Sequence, residues 1–386
     1  MARRPAPEDA LLDPIRLART EGVGPLTFRR LLARHGTAAA AIAELPRLAR
    51  NGGRASPPDV PLREAIARER DRLEKLGGCF LVLGEPAYPP LLALLADAPP
   101  VLACLGDPAA LAGPAVALVG GRNATANGEL VAERLAADLA GAGLVVVSGL
   151  ARGIDAAAHA GALATGRTVA AVAGGLDCPY PAEHAALQAR IAVAGAVVTE
   201  APLGTIPQAR HFPRRNRIIA GLALGVVVIE AALRSGSLIT ARLAQDAGRE
   251  VFAVPGSPLD PRARGSNDLI RQGAQLTETA ADVLDNLPDH PGREGLARSP
   301  LFARARRTVA PDAPADPAAE AADPPAAALA EARVRLAELL GPAPTAVDDL
   351  LRRCQLSPSA VLAALLELEL AGRIETLPGQ RVALLA

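Results

Sequence analysis

Short apolar runs alternate with amphipathic segments between Cys79 and about Leu287. From Ala115 onward these runs are continuously apolar, which is typical of parallel strands covered by helices on both faces. The pattern predicts eight strands: CFLVL, PVLACLG, AVALVG, LVVVSG, TVAAVAG, AVVTE, GVVVIE and EVFAVPG. The first two precede the regular alternation, so we expect them to extend the sheet at one edge. The pattern therefore predicts an α/β fold with an extended Rossmann-like parallel sheet over residues 76–288.

Helical patterns flank this sheet on both sides. Residues 1–75 contain a Gly22–Thr27 turn between two amphipathic runs, which suits either a helix-hairpin-helix that binds a phosphate or a plain connecting turn. Residues 289–330 are rich in Pro, Ala and Asp without periodicity, which predicts a flexible linker. Residues 331–386 resemble a winged helix, with Ser357 and Pro358 as the N-cap and first residue of its third helix.

Composition limits the function only loosely. The 386 residues carry 41 basic and 41 acidic side chains, so any affinity for nucleic acid must come from a local patch. The four cysteines form no CxxC pair and have no metal-like spacing, which favours a reducing cytosol without a disulfide framework or zinc site. We find no signal peptide or membrane span in the sequence, and we expect a cytoplasmic protein.

Small residues and arginines follow the predicted parallel strands, where an open α/β sheet binds its ligands. Arg122 and Arg152 would stand on adjacent loops, and exposed N–H groups there favour an anion. Each loop alone could be an ordinary βα turn, but together they predict a phosphate-recognising site.

The segment HFPRRNR adds clustered guanidiniums around Phe212. A single-stranded nucleic acid needs cations for its phosphates and a flat face for a base. A solvated basic turn with a core Phe is the alternative. The candidate DNA-binding residues are Gly121, Arg122, Ser148, Gly149, Arg152, Gly153, Arg210, Phe212, Arg214, Arg215, Asn216, Arg217, Ser235, Gly236 and Ser237.

The same loops lack the motifs of a nucleotide-cofactor site and show no clear catalytic arrangement. The first loop has Arg122 at the second glycine of G-x-G-x-x-G, and no G-K-[ST] is present, so neither NAD nor ATP hydrolysis is supported. Asp155 and His159 could pair or could brace a helix start. Glu230 could act as a general base or orient Arg217 or Arg122. We predict no cofactor, no metal and no catalytic residue.

The long motifs LVGGRNATANG, LVVVSGLARGIDAAAH, HFPRRNRIIAGLA and EAALRSGSLITARLAQDAGREVFAVPGSPLDPRARGSNDLIRQGA resemble the DNA-processing protein A family, also called Smf. The resemblance covers nearly the whole chain. It implies an N-terminal sterile-alpha-motif-like helical domain, an extended Rossmann domain and a C-terminal winged-helix-like domain. It also implies a homodimer that binds and protects single-stranded DNA and helps load a RecA-type recombinase during natural transformation.

Carried onto this sequence, the family's pocket implies that Arg122 holds a phosphate and that Phe212 stacks on a base. Two departures matter. Gly121 stands where the family usually has a hydroxyl residue, and Ala182 stands where several members have a lysine that contacts DNA. Which of the arginines Arg210, Arg214 and Arg215 compensates is not readable from the sequence.

Two other functions stay open. A nucleoside-monophosphate phosphoribohydrolase would use similar glycine loops, but its Pro-Gly-Gly-x-Gly-Thr-x-x-Glu signature is missing. A regulatory module could bind duplex DNA through the winged helix. Its third helix has no basic residue before Arg373 and carries Glu367 and Glu369, so we expect its apolar positions to pack within the domain and against a protein partner.

Overall fold

The computed structural model describes residues 11–287, 324–377 and 381–385. The chain divides into two compact units, one formed by Glu69–Ala313 and the other by Met1–Arg68 together with Pro314–Ala386. Most of the linker predicted over 289–330 lies outside the described residues. Its last five residues, from Ala326, already belong to a helix.

The first of these units contains a nine-stranded sheet with the order β1-β2-β6-β5-β4-β3-β7-β8-β9. Its strands are β1 (Gly78–Val82), β2 (Val101–Gly106), β3 (Ala115–Gly120), β4 (Val145–Ser148), β5 (Thr168–Ala171), β6 (Ala196–Thr199), β7 (Gly225–Ile229), β8 (Glu250–Ala253) and β9 (Gln275–Leu276). β3 to β9 pair in parallel, whereas β2 is antiparallel to both β1 and β6. All eight predicted strands are present, and the first two do extend one edge.

Helices cover both faces of this sheet. α4 (Arg63–Lys75) crosses the boundary between the units in the chain and precedes β1. The later helices of this unit are α5 (Pro90–Ala93), α6 (Ala126–Gly141), α7 (Ile154–Thr165), α8 (Ala185–Ala194), α9 (His211–Leu222), α10 (Gly236–Asp246), α11 (Arg264–Arg271) and α12 (Ala280–Asn286). In β3, Ala117 and Val119 pack on the face with α9 and α10, while Val116 and Leu118 pack on the face with α6 and α7. Because both faces are covered, the strands are continuously apolar.

The strand order reverses at β3. From β3 the chain moves outward through β4, β5 and β6, and it then returns through α9 to place β7 on the other side of β3. A crevice at such a reversal, outside the carboxyl ends of the strands, is where open α/β sheets bind ligands. The arginine of the first loop, Arg122, follows β3 at this point.

The other unit joins the two ends of the chain. Its N-terminal helices are α1 (Leu12–Ala18), α2 (Pro25–His35) and α3 (Ala38–Asn51), and its C-terminal elements are α13 (Ala326–Leu339), β10 (Thr345–Ala346), α14 (Val347–Cys354), α15 (Pro358–Leu370), β11 (Ile374–Leu377) and β12 (Arg381–Leu384). The three short strands form an antiparallel sheet in the order β10-β12-β11. Three helices with this small sheet are a winged-helix arrangement, so the predicted fold class is confirmed.

The third helix of the winged-helix domain, α15, packs on the N-terminal helices. Leu366 and Leu370 belong to the same buried cluster as Phe28 and Leu45. Glu367 is completely buried, and its carboxylate accepts hydrogen bonds from Asn51 Nδ2 and Arg333 Nη1, each at 3.0 Å. The sequence predicted that some apolar residues of α15 contact a protein partner. Part of this apolar surface is instead covered by the N-terminal helices of the same chain.

One strand of the large sheet was not predicted. β9 is only two residues long and both are exposed, so it leaves no hydrophobic pattern to detect. Every helix in the described part of the chain is too short or too polar to span a bilayer.

Candidate nucleic-acid site

Two adjoining cavities lie at the carboxyl ends of the central strands. The first chamber has a volume of about 320 Å³, and the second has a volume of about 650 Å³. The first is lined by Arg122, Asn123, Gly149, Ala151, Arg152, Val172, Ala173, Gly174, Cys178, Tyr180, Pro181, Pro207 and Phe212. The second is lined by residues that include Arg122, Asp155, Tyr180, Phe212, Arg215, Asn216, Ser235, Gly236, Ser237 and Thr240.

Arg122, Tyr180 and Phe212 line both chambers, as do Ala151 and Pro207, and we call the first three side chains the shared wall. The Arg122 guanidinium lies 4.7 Å from the centroid of the Phe212 ring, a cation–π contact. The Tyr180 ring meets the Phe212 ring edge to face, with centroids 5.7 Å apart and planes inclined at 61°. The fold therefore brings Arg122, the candidate phosphate ligand, into direct contact with Phe212, the candidate stacking residue.

Arg122 is the arginine best placed to bind an anion. It is exposed, and it forms no salt bridge with any residue that the structure describes. Arg152 also lines the first chamber, but its Nε and Nη2 atoms donate to the two carboxylate oxygens of Glu183 at 2.5 and 3.1 Å. Arg152 therefore meets an incoming phosphate with its charge already balanced.

Arg215 has a different environment. Its side chain is buried, Nη1 donates to the carbonyl of Ala171 at 2.9 Å, and its guanidinium lies 5.9 Å from the Phe212 ring centroid. Gly149 makes room for it, since a Cβ there would lie 1.7 Å from Arg215 Nη1 and 2.6 Å from Asp155 Oδ2. Burial lowers the pKa of Arg215 and raises that of Asp155, and the two opposite charges offset part of this cost for each other.

The N-terminus of α10 forms part of the second chamber. The Ser235 hydroxyl caps the helix by accepting the Ser237 N–H at 3.3 Å, and the two hydroxyls lie 2.7 Å apart. Asn216 Nδ2 donates to the carbonyl of Gly236 at 3.3 Å and so ties α9 to this turn. The positive end of the α10 dipole and these hydroxyls suit an anionic group.

Several candidate residues are held away from the chambers by other partners. The buried Ser148 hydroxyl donates to the carbonyl of Leu118 at 2.7 Å. Arg217 is also buried, donating to the Asp97 carbonyl at 2.6 Å and pairing with Glu200. These two residues support the sheet and α9 and line neither chamber.

The remaining candidates lie beside the chambers. Gly153 takes a φ of 71°, and a Cβ there would lie 2.5 Å from the carbonyl oxygen of Gly121, so these two glycines pack their loops together. Arg210 precedes α9 and Arg214 lies in its first turn, where both are exposed. Neither lines a chamber.

The carboxylates near the site are engaged in structural contacts. Glu230, with a φ of 46°, accepts from the backbone N–H of Thr125 at 2.8 Å and from its hydroxyl, at the N-terminus of α6. It therefore braces a helix instead of orienting Arg217 or Arg122.

His159 hydrogen-bonds Thr168 at 2.7 Å, and burial lowers its pKa to about 3. The described residues contain no group of acidic, His and Cys side chains that could hold a metal ion.

Sequence reasoning missed Tyr180 as a site residue. Its side chain is half exposed and lines both chambers. The available signal was its position, since it is one of two tyrosines and follows the strand-end glycines of β5 in GGLDCPYPAEH.

Three family models match the chain. The model of the DNA recombination-mediator protein A matches residues 79–288, that of the DprA-like N-terminal HHH domain matches residues 8–71, and that of the DprA winged helix domain matches residues 320–380. Together they cover both units of the structure.

Individual relatives and a solved structure agree with these models. The chain is 40% identical over 306 residues to Protein Smf of Escherichia coli, covering 77% of this chain and 75% of that one. It is 46% identical over 204 residues to the DNA processing protein DprA of Bacillus subtilis, covering 52% and 69%. The X-ray structure of DprA from Streptococcus pneumoniae matches with a TM-score of 0.62 and 31% identity over 74% of this chain and 99% of that one.

Proposed function

The chain belongs to the DNA recombination-mediator protein A family, and we propose that it binds single-stranded DNA where the two chambers meet. The observation that carries the proposal is the shared wall of Arg122, Tyr180 and Phe212. It presents an exposed cation without a carboxylate partner among the described residues, directly beside two aromatic rings. Phosphate attraction combined with base stacking is how proteins bind single strands without reading their sequence.

Each part of the site then has a role. Arg122 contacts a phosphate, and the half-exposed ring of Tyr180 offers a stacking face for a base in the first chamber. Phe212 holds both of these side chains in place through its ring contacts. The α10 N-terminus at Ser235 receives a phosphate of the adjoining nucleotide in the second chamber.

The size of the site favours a single strand. Chambers of a few hundred Å³ are comparable to small-molecule pockets and admit unstacked bases one at a time. A duplex keeps its bases stacked inside and offers only its phosphates. The net charge of zero also means that attraction is confined to this patch, where Arg210, Arg214 and Arg234 add exposed positive charge close in sequence to the chamber-lining residues.

The proposal makes the protein a binding protein rather than an enzyme. The carboxylates that a hydrolase would need as acid or base have structural partners, since Glu230 accepts hydrogen bonds from Thr125, the N-cap residue of α6, and Asp155 lies beside the buried Arg215. We further propose that the protein protects the bound strand in the cytoplasm as a homodimer and passes it to a RecA-type recombinase. This last step rests on the family resemblance alone.

The proposal is tested by titrating the protein against fluorescent oligo-dT and a duplex of the same length, following anisotropy at several salt concentrations. We expect tighter binding of the single strand, little dependence on its sequence, and a loss of about 0.7 log unit of affinity per decade of salt for each phosphate neutralised. Equal or tighter binding of the duplex at moderate salt would rule the proposal out.

A further inference from the structure

Two cysteines face each other at one edge of the large sheet. In the antiparallel pair of β1 and β2, Cys79 lies directly opposite Cys104. Opposed residues of antiparallel strands have Cα atoms about 4.5–5.5 Å apart and side chains on the same face. A disulfide needs a Cα separation of about 4.4–6.8 Å. The Cα separation is therefore within the range that a disulfide bridges, and the Cβ atoms, about 4.5–5.5 Å apart in such pairs, must approach to about 3.5–4.5 Å for the bond to form.

The two thiols are in contact but differ in exposure and acidity. Cys79 is half-buried on the edge strand, whereas Cys104 is buried. The neighbouring thiol of Cys104 lowers the pKa of Cys79 to about 7, and the same interaction together with burial raises the pKa of Cys104, whose Sγ also donates to the carbonyl of Leu105 at 3.8 Å. The more accessible sulfur is thus the one that more readily becomes a thiolate, the form that attacks disulfides.

The other two cysteines lack this arrangement. Burial raises the pKa of Cys178, which lines the first chamber, and of Cys354, which is buried in the winged-helix domain. All four cysteines are free thiols in the structure. The pair on β1 and β2 is therefore distinguished by geometry as well as by acidity.

We propose that Cys79 and Cys104 form a reversible thiol–disulfide site whose oxidant is a small-molecule disulfide such as oxidised glutathione. The Cys79 thiolate attacks one sulfur of the oxidant, forming a mixed disulfide and releasing one thiol. Cys104 then loses its proton and attacks the Cys79 sulfur, which forms the intramolecular bond and releases the second thiol. The cysteines lose two electrons and two protons, and the oxidant gains them.

The bond would close the segment that supports α9. The connection between β1 and β2 contains Asp97, whose carbonyl accepts from Arg217 of α9. It also contains Leu92 and Leu95, which pack so closely on Gly221 of α9 that a Cβ there would lie 2.5 and 2.7 Å from their Cδ1 atoms. Closing this loop restricts the unfolded chain, so the oxidised protein should unfold at a higher temperature.

The test uses the full chain, first reduced and then incubated with oxidised glutathione. Intact mass spectrometry should show the loss of two hydrogens, and peptide mapping should join the Cys79 and Cys104 peptides. Reduction with dithiothreitol should restore the original mass and lower the unfolding temperature again. A glutathione adduct that persists on Cys79, or a wild-type protein in which Cys79 stays unmodified, would overturn the proposal.

Single variants test the order of the two steps. Cys104→Ser should stop the reaction at a stable glutathione adduct on Cys79, and Cys79→Ser should form neither adduct nor disulfide at this pair. Cys178→Ser is the matched control and should leave the intramolecular bond unchanged. An intramolecular bond that forms at an unchanged rate in Cys79→Ser, through another cysteine, would contradict the assignment. These readouts do not depend on DNA binding, so they stand or fall separately from the proposed function.

Discussion

Among single residues, the arginines near the chambers differ in whether their charge is available to bind a phosphate. Arg122 is exposed beside Phe212, Arg152 is held by Glu183, and Arg217 is buried on Glu200. The sequence assigned Arg122 and Phe212 to the same candidate site, because Arg122 follows a predicted strand and Phe212 lies among the arginines of HFPRRNR. The inward turn of Arg217 could not be predicted, because its partners Asp97 and Glu200 come from distant parts of the chain.

Substitutions of Tyr180, which the structure places in both chambers, test whether a base stacks there. Tyr180→Ala removes the exposed ring and should weaken oligo-dT binding by about 1–3 kcal/mol, the usual effect of losing one stacked base. Tyr180→Phe keeps the flat face and should bind nearly as tightly as the wild type. Anisotropy titrations measure both. If Tyr180→Ala binds normally, the base stacks elsewhere, and an equal loss in both variants would assign the effect to the hydroxyl.

At the scale of elements, α9 combines two tasks that its sequence does not separate. Phe212, Arg215 and Asn216 line the chambers, whereas Arg217 on the same helix ties α9 to the β1–β2 connection. Eight strands and the edge position of the first two followed from apolar runs, because covered parallel strands leave an unmistakable pattern. The packing of α15 on the N-terminal helices did not, because an apolar helix face does not reveal what covers it.

Glu369 on α15 gives a prediction about pH. Burial raises its pKa, and the ion pair with Arg30, at 3.8 Å, is too long to offset this. The folded chain therefore holds this proton more tightly than the unfolded chain, so its contribution to stability is complete below the ordinary Glu pKa of about 4.3 and is lost as pH rises through the raised value. Glu369→Gln, which is always neutral, should match the wild type at about pH 4 and be more stable at about pH 8.

Urea unfolding of both proteins across this pH range measures the difference between them. Glu338→Gln is the control, since Glu338 lies in the same domain with an exposed side chain and only a loose pair with Arg335. It should show no comparable pH dependence. A Glu369→Gln protein that is less stable than the wild type at neutral pH would show that the carboxylate attracts Arg30 more than burial penalises it.

At the scale of the whole molecule, the winged-helix domain is joined to the N-terminal helices, and its third helix is not free to enter a major groove. Leu366 and Leu370 are buried in the N-terminal cluster, and Glu367 is paired with Arg333. The sequence also predicts that α15 does not bind a duplex, because Glu367 and Glu369 on this helix would be repelled by the phosphates of the groove. The structure adds that the helix is covered by its own chain.

Truncation tests where DNA binding lies. A chain that ends near residue 290 should keep most single-strand affinity, because all the residues that line the two chambers fall between Val119 and Thr240. Its N-terminal helices should lose stability, because they lose the packing of Leu366 and Leu370. The isolated segment 328–386 should show no measurable DNA binding. A large loss of oligonucleotide affinity in the shortened protein, with the Rossmann-like unit still folded, would show that the winged helix binds DNA directly.

An oligo-dT titration of the double variant Arg122→Ala/Phe212→Ala measures directly whether these two side chains hold the single strand. The variant loses a charge-assisted phosphate contact, worth about 1.5–3 kcal/mol, and the ring that positions Tyr180. Arg152→Ala is the matched control, since Glu183 already balances its charge. We predict that the double variant nearly loses binding while its thermal unfolding stays cooperative, and that Arg152→Ala binds almost as the wild type does. A folded double variant that binds oligo-dT normally would show that the single strand binds elsewhere on the protein.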